Sequence, residues 1–254
     1  MHARHPLATL TWLFACLIAS STTYAEPKPD TMVYLSTVAP SIEQDIRYAS
    51  AHNFTGHPLD GYAAAQCVLS LDAAQALGRV QAALRSQGLG LKVFDCYRPA
   101  RAVADMGRFA SQPGDPRKAE FYPRVHKQDF WRLGYVARVS NHSRGATLDL
   151  TLVGPDALPA QTWTPASAQV DCAAPYGQRW HDGALDMGTG FDCFDERAHT
   201  QAPMISATAR QNRQRLASAM AKEGFAGYSG EWWHFTFKGV GAPAKVMDFP
   251  ITAP

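Results

Sequence analysis

The clearest periodic signal lies in residues 146–152. Ala146, Leu148, Leu150 and Leu152 fall on one face of an extended chain, and Thr147, Asp149 and Thr151 on the other. The pattern predicts a strand that buries its leucines and projects Asp149, flanked by two hydroxyls, from the opposite side. Residues 89–95 form a mostly apolar run of strand length and predict a buried strand. Helical spacing governs Ala73, Ala76, Leu77, Val80 and Leu84, in a helix that Ser70 or Asp72 can cap and that stops at Gly88. Pro99 suits the first turn of another helix, carrying Val103, Met106 and Phe109. A further helix spans about residues 207–223 and ends at Gly224, and residues 225–237 read as a terminal strand or hairpin. Residues 32–35 and 42–48 look extended, residues 53–56 and 59–61 carry turn chemistry, and residues 153–187, rich in Pro, Gly and Ala, read as a long loop. Strands and helices are mixed without a βαβ repeat. The fold class expected is therefore α+β: a single domain with a central antiparallel sheet flanked by helices.

The first 25 residues stand apart from this pattern. Residues 7–20 are almost uncharged, with an apolar centre at residues 12–18, and a run of small residues ends at Thr23-Tyr24-Ala25. An apolar run too short to span a bilayer, followed by small residues, reads as a cleaved secretory signal peptide over residues 1–25 rather than a retained anchor. Residues 26–254 fit one domain with a sizeable core. They contain no other long apolar segment, so a periplasmic protein without stable membrane association is expected. A net charge of +2 without a basic run gives no electrostatic case for nucleic acid. Past the signal, four cysteines remain: Cys67, Cys96, Cys172 and Cys193. An even number in an exported chain suggests two disulfides, with three possible connectivities. Pairing neighbours, Cys67 with Cys96 and Cys172 with Cys193, is the simplest, and each bond would contribute roughly 3 kcal/mol. Cysteine-ligated zinc is disfavoured, since no Cys-x-x-Cys pair exists.

Candidate chemistry concentrates in residues 140–149 and 231–234. A lone histidine such as His142 is usually structural or exposed, and Glu231-x-x-His234 is common by chance. Jointly, His142, Asp149 and His234 offer two imidazoles and a carboxylate, the donor set of a catalytic zinc site that keeps one position for water. Glu231 is then a spare carboxylate able to act as base. Residues three apart on a regular strand face opposite ways. A shared site therefore needs Glu231 before the strand or at a bulge, for which Ser229-Gly230 offers a break. Arg98 lies between a buried strand and a helix. Pairing with Asp95 for structure is its default role, and beside a metal site it could stabilise an oxyanion. Asp192, in a glycine-containing loop, reads most simply as a turn residue. Trp232, Trp233, Phe235 and Phe237 suit the core. His52, His57, His126, His181 and His199 are expected at the surface or in structural roles. No Gly-x-Ser-x-Gly elbow surrounds Ser140 or Ser143, which leaves a serine hydrolase as a weak rival.

Several segments in order extend this inventory: residues 46–50, 53–56, 59–62, 95–99, 140–145, 149–151, 191–192, 195–197, 211–213, 228–234 and 248–250. Together they resemble the D-alanyl-D-alanine dipeptidases of the vancomycin-resistance type, within the zinc D,D-peptidases of family M15. The resemblance covers most of the mature chain. It implies one Zn2+ held by His142, Asp149 and His234 in a cleft on the sheet, Glu231 as general base and then acid, and Arg98 at the transition state. It places Tyr48, Ser140 and Asp192 in the substrate pocket, with Asp192 as partner for the substrate's ammonium group. The implied function is zinc-dependent hydrolysis of the small dipeptide D-alanyl-D-alanine to two D-alanines in the cell envelope. The rivals are a zinc D,D- or L,D-carboxypeptidase acting on peptidoglycan stem peptides and a non-catalytic zinc-binding module. Two features depart from the resistance type. Residues 153–187, with Cys172, look longer, and the signal peptide points to use of wall-derived dipeptide outside the cytoplasm.

Overall fold

The computed structural model describes residues 26–165 and 169–254; the expected signal peptide lies outside them. The strands are β1 (Met32–Tyr34), β2 (Glu43–Gln44), β3 (Val68–Ser70), β4 (Gly90–Asp95), β5 (Thr147–Val153), β6 (Phe225–Tyr228) and β7 (Glu231–Phe237). The helices are α1 (Leu35–Val38), α2 (Leu71–Arg85), α3 (Ala100–Ser111), α4 (Lys118–Phe121), α5 (Phe130–Leu133) and α6 (Ala207–Lys222). Five strands form the central sheet in the order β2-β4-β5-β7-β6, and β1 pairs with β3 separately. The alternating segment becomes β5, at the middle of the sheet. Its leucines face α2 and α6, which pack on each other and on the sheet. Leu148, Leu150 and Leu152 are fully buried with Val93, Leu77 and Val80. Burial of each such side chain contributes about 2 kcal/mol.

Helix ends follow the expected signals. Ser206 Oγ accepts from the Ala209 N–H at the start of α6, and Gly224 adopts φ +85° past its end. Ser70 stands at the N-cap of α2, but its side chain makes no capping bond.

Two expectations need correction. The sheet is not wholly antiparallel, because β2 runs parallel to β4. The chain travels from β2 to β4 through α2, the kind of crossover that parallel neighbours require. The extended reading of residues 42–48 holds for only two residues. Arg47–Ala49 form a 3-10 turn that sends Arg47 to Asp45 and Asp182 and Tyr48 toward Asp192. Of the histidines expected at the surface or in structural roles, His52 and His181 are buried. His52 Nε2 lies 2.8 Å from Glu120 Oε1, with Trp163 stacked on its ring and Trp180 edge-on.

Both tryptophans come from the long loop after β5, and that loop explains a further difference. It covers the second face of the sheet, where Lys92 Nζ donates to the Asp182 carbonyl. Thr151, the strand partner of Lys92, is as buried as the leucines; Thr147, at the other end of β5, is equally buried with its hydroxyl on that of Thr236. Cys67 bonds Cys96, and Cys172 bonds Cys193, the neighbour pairing. Among the described residues no helix is long and apolar enough to cross a membrane.

Candidate active site

Three side chains form one row across three strands. Asp149 on β5 stands opposite His234 on β7 and opposite Asp95 on β4. The last pairing depends on a bulge. Val93 pairs with Leu150, yet Asp95 pairs with Asp149, so β4 carries one extra residue there. In a regular ladder Asp95 would oppose Leu148 on the leucine face; the extra residue re-aims it to the opposite side.

His142 arrives on a 3-10 turn, Asn141–Arg144, just ahead of β5. Ser140 Oγ accepts from the His142 N–H at 3.2 Å, and Gly145 closes the turn at φ +80°. A side chain at that glycine would be strained in φ and would run into Met32. The His142 Nδ1 lies 2.8 Å from the Cys96 carbonyl. That acceptor requires the proton on Nδ1 and leaves the lone pair on Nε2.

The lone pair points at the row. His142 Nε2 lies 3.2 Å from His234 Nδ1 and 3.4 Å from Asp149 Oδ1, and His234 Nδ1 lies 3.2 Å from the same oxygen. Asp149 Oδ1 is buried with no hydrogen-bond donor aligned on it. Tetrahedral zinc with bonds of about 2.0–2.1 Å sets its ligands about 3.3–3.4 Å apart. Donor types, spacing and the orphaned oxygen therefore all fit a zinc ion. Asp149 is held well below the usual carboxylate range: burial opposes this, but the flanking imidazoles of His142 and His234 prevail.

Glu231 reaches the same point by an irregular route. Gly227 pairs with Phe235 but Tyr228 pairs with Glu231, so residues 232–234 have no counterpart on β6. Trp232 and Trp233 are both buried, and alternation fails. Glu231 is thus the first residue of β7, separated from His234 by the bulged stretch, and its Oε2 lies 3.5 Å from His234 Nδ1. The break lies at residues 232–234 rather than at Ser229-Gly230. Burial pushes the Glu231 carboxyl up to about 7, with His234 and Arg98 opposing and Asp149 adding to the rise.

Arg98 donates through Nε to Asp95 Oδ2 at 2.9 Å, its Nη2 lies 3.6 Å from Asp149 Oδ2, and its guanidinium sits 4.9 Å from the centre of the Tyr48 ring. The Tyr48 hydroxyl donates to Asp192 Oδ2 at 2.6 Å. Asp192 adopts φ 59°, the one non-glycine residue among those described with positive φ. Burial pushes its carboxyl up to about 8, against the Tyr48 hydrogen bond.

Tyr48, Arg98, Ser140, His142, Asp149, Asp192, Glu231 and His234 all line one cleft of about 220 Å3. That is smaller than the usual pocket for a drug-sized ligand. Sequence reasoning missed two supports. The Tyr62 hydroxyl donates to Asp95 Oδ1 at 2.6 Å, and the Cys96 carbonyl orients His142. A main-chain carbonyl leaves no residue-type signal, and nothing in the pattern around Tyr62, just past the turn at residues 59–61, ties it to Asp95. Tyr228 was also unassigned; its ring stands edge-on to His234 at the cleft wall.

The family profile described as D-ala-D-ala dipeptidase matches residues 28–160 and 174–252. The chain belongs to this peptidase family. Members are hydrolases of the metallopeptidase class, and a metal cofactor accompanies them. The D-alanyl-D-alanine dipeptidase of Enterococcus faecium is 36% identical over 220 residues, covering 86% of this chain and 96% of that one. The Streptomyces coelicolor enzyme of the same name is 38% identical over 219 residues, covering 86% and 96%. The Escherichia coli enzyme is 32% identical over 207 residues, covering 80% and 83%. The family profile leaves residues 161–173 unmatched, within the loop expected to be long.

Proposed function

We propose that this chain hydrolyses D-alanyl-D-alanine to two D-alanines, with zinc held by His142, Asp149 and His234. The convergence of His142 Nε2, His234 Nδ1 and Asp149 Oδ1 within 3.2–3.4 Å, beside the Glu231 carboxylate, carries this reading. A zinc ion bound there supplies Lewis acidity toward water and toward a peptide carbonyl. Glu231 takes a proton from the attacking water and returns it to the leaving amine. Its burial and raised pKa suit a group that must both accept and release a proton near neutrality. Arg98, held by Asp95, offers its guanidinium to the developing oxyanion. Asp192 and Tyr48 accept the substrate's ammonium group, and Ser140 lines the same small cleft. An acid at the amine end favours a free dipeptide over a stem peptide, whose corresponding nitrogen is acylated and uncharged.

Residues 1–25 act, on this reading, as an export signal that delivers the enzyme to the periplasm. The two cysteine pairs at bonding distance suit an oxidising compartment. Release of D-alanine from the free dipeptide and from a stem pentapeptide, measured alongside zinc content, tests the proposal. Faster release from the pentapeptide would make the chain a carboxypeptidase, and no release from zinc-replete protein would make it a binding module.

A further inference from the structure

The segment that the family profile leaves unmatched ends beside the amine end of the cleft. Its residue Cys172 is bonded to Cys193, and Cys193 directly follows Asp192. Two backbone hydrogen bonds reinforce the link: the Cys172 N–H donates to the Glu120 carbonyl at 2.9 Å, and the Gly190 N–H donates to the Cys172 carbonyl at 2.8 Å. On either side, Asp171 pairs with Arg124, and the Ala173 carbonyl accepts from Arg197 at 2.9 Å. Residues 171–173 therefore form a splint between α4 and the loop carrying Asp192.

That loop needs one. Asp192 occupies the left-handed region, which an aspartate tolerates but does not prefer. Phe191 is fixed before it by stacking on Phe94 at 4.6 Å, and Phe194 after it by donating its N–H to the Phe121 carbonyl at 2.8 Å. The Asp192–Cys193 link between those anchors remains, and the disulfide sets the direction of its side chains. A turn of Asp192 to negative φ would move its carboxylate away from the Tyr48 hydroxyl.

We propose that the Cys172–Cys193 bridge is a positioning device for substrate recognition: it holds Asp192 against Tyr48, so that the unmatched segment sets selectivity for a free amine. This rests on the reading of Asp192 as the ammonium partner. The zinc ligands and Glu231 lie on β5, β7 and the turn at residues 141–144, whose pairings do not include the splint. Loss of the bridge should therefore weaken capture of the substrate and leave the chemical step.

The experiment compares zinc-loaded wild type, Cys172→Ser/Cys193→Ser and Asp192→Asn on D-alanyl-D-alanine and its N-acetyl derivative, with zinc content measured throughout. The bridge variant should show KM for the free dipeptide raised about tenfold, kcat within about twofold, and a preference for the free amine reduced in proportion. Zinc stoichiometry should be unchanged. If the double variant does not fold, the single variant Cys172→Ala, which leaves Cys67–Cys96 intact, is read by the same KM-to-kcat split. Should Asp192→Asn leave KM for the free dipeptide unaltered, the ammonium reading fails and the proposal with it. A KM raised by Asp192→Asn but not by loss of the bridge overturns the positioning alone. A fall in kcat or zinc content at constant KM also overturns it, because that is the mark of general destabilisation.

Discussion

The two ends of the cleft are built by different means. At the metal end Asp95, Asp149 and His234 stand in one row across the hydrogen-bonded strands β4, β5 and β7, and His142 joins them from the turn just ahead of β5. At the amine end Tyr48 projects from a 3-10 turn and Asp192 from a loop in the left-handed region. Each end has its own disulfide. Cys67–Cys96 lies under the carbonyl that orients His142, and Cys172–Cys193 lies beside Asp192. A ladder fixes geometry through many shared hydrogen bonds, whereas a loop must be fixed locally. On the proposed reading, chemistry that tolerates little displacement has settled on the ladder, and recognition on the loop.

If that division is right, changes at the metal end act on turnover, and changes at the amine end act on KM. The largest effect should come from Glu231→Gln, which removes the proposed base but keeps the side chain's shape. Turnover should fall about a thousandfold or more with zinc retained, read by steady-state kinetics and metal analysis. Near-normal turnover in the metal-loaded variant would break the comparison at its strongest point. Arg98→Lys removes the planar fork that meets Asp95, and kcat should drop about a hundredfold with KM little changed. A rise in KM instead would move Arg98 to the recognition side.

The pH profile sharpens the same division. Glu231 must be ionised to accept a proton, and its carboxyl is raised to about 7 by burial. Activity should be present above that pKa and fall about tenfold per unit below it. A bound cation favours the carboxylate, so the limb should lie at or below about 7. An acid limb absent down to pH 5 would remove Glu231 from the role. The smallest effect is expected from Tyr62→Phe, which deletes the hydroxyl donating to Asp95 without touching the cleft. A loss of about 1 kcal/mol of support should lower kcat several-fold and leave KM alone.

Legibility in the sequence follows the same line. The metal end could be read because alternation along β5 put Asp149 opposite its leucines, and a run of strand length announced β4. The ends of α2 and α6 were visible in Gly88 and Gly224, whose backbone roles follow from residue type; the Ser206 cap emerges only in the structure. The reading stopped where pairing departs from regularity. Nothing in residues 232–234 says that three positions go unpaired on β6, although the spacing of Glu231 and His234 required some such break. Beta strand β2 was blurred into residues 42–48 because two residues cannot establish a period. Residue type alone does not say whether His52 is exposed or structural, because the tryptophans that bury it lie more than a hundred positions away. From residue type alone Asp192 is an ordinary turn acid; only the family resemblance put it and Tyr48 in one pocket, and their hydrogen bond is reached only through the fold.

The extra residue in β4 also has an evolutionary side. Without Phe94, Asp95 would follow Val93 directly and still stand opposite Asp149, now in an unbroken ladder. A relative one residue shorter here could keep the whole row, with a single alignment gap as the trace. What it would lose is the Phe94 ring stacked on Phe191, just ahead of Asp192, so the inserted residue serves the amine end of the cleft from within the strand that carries the metal end.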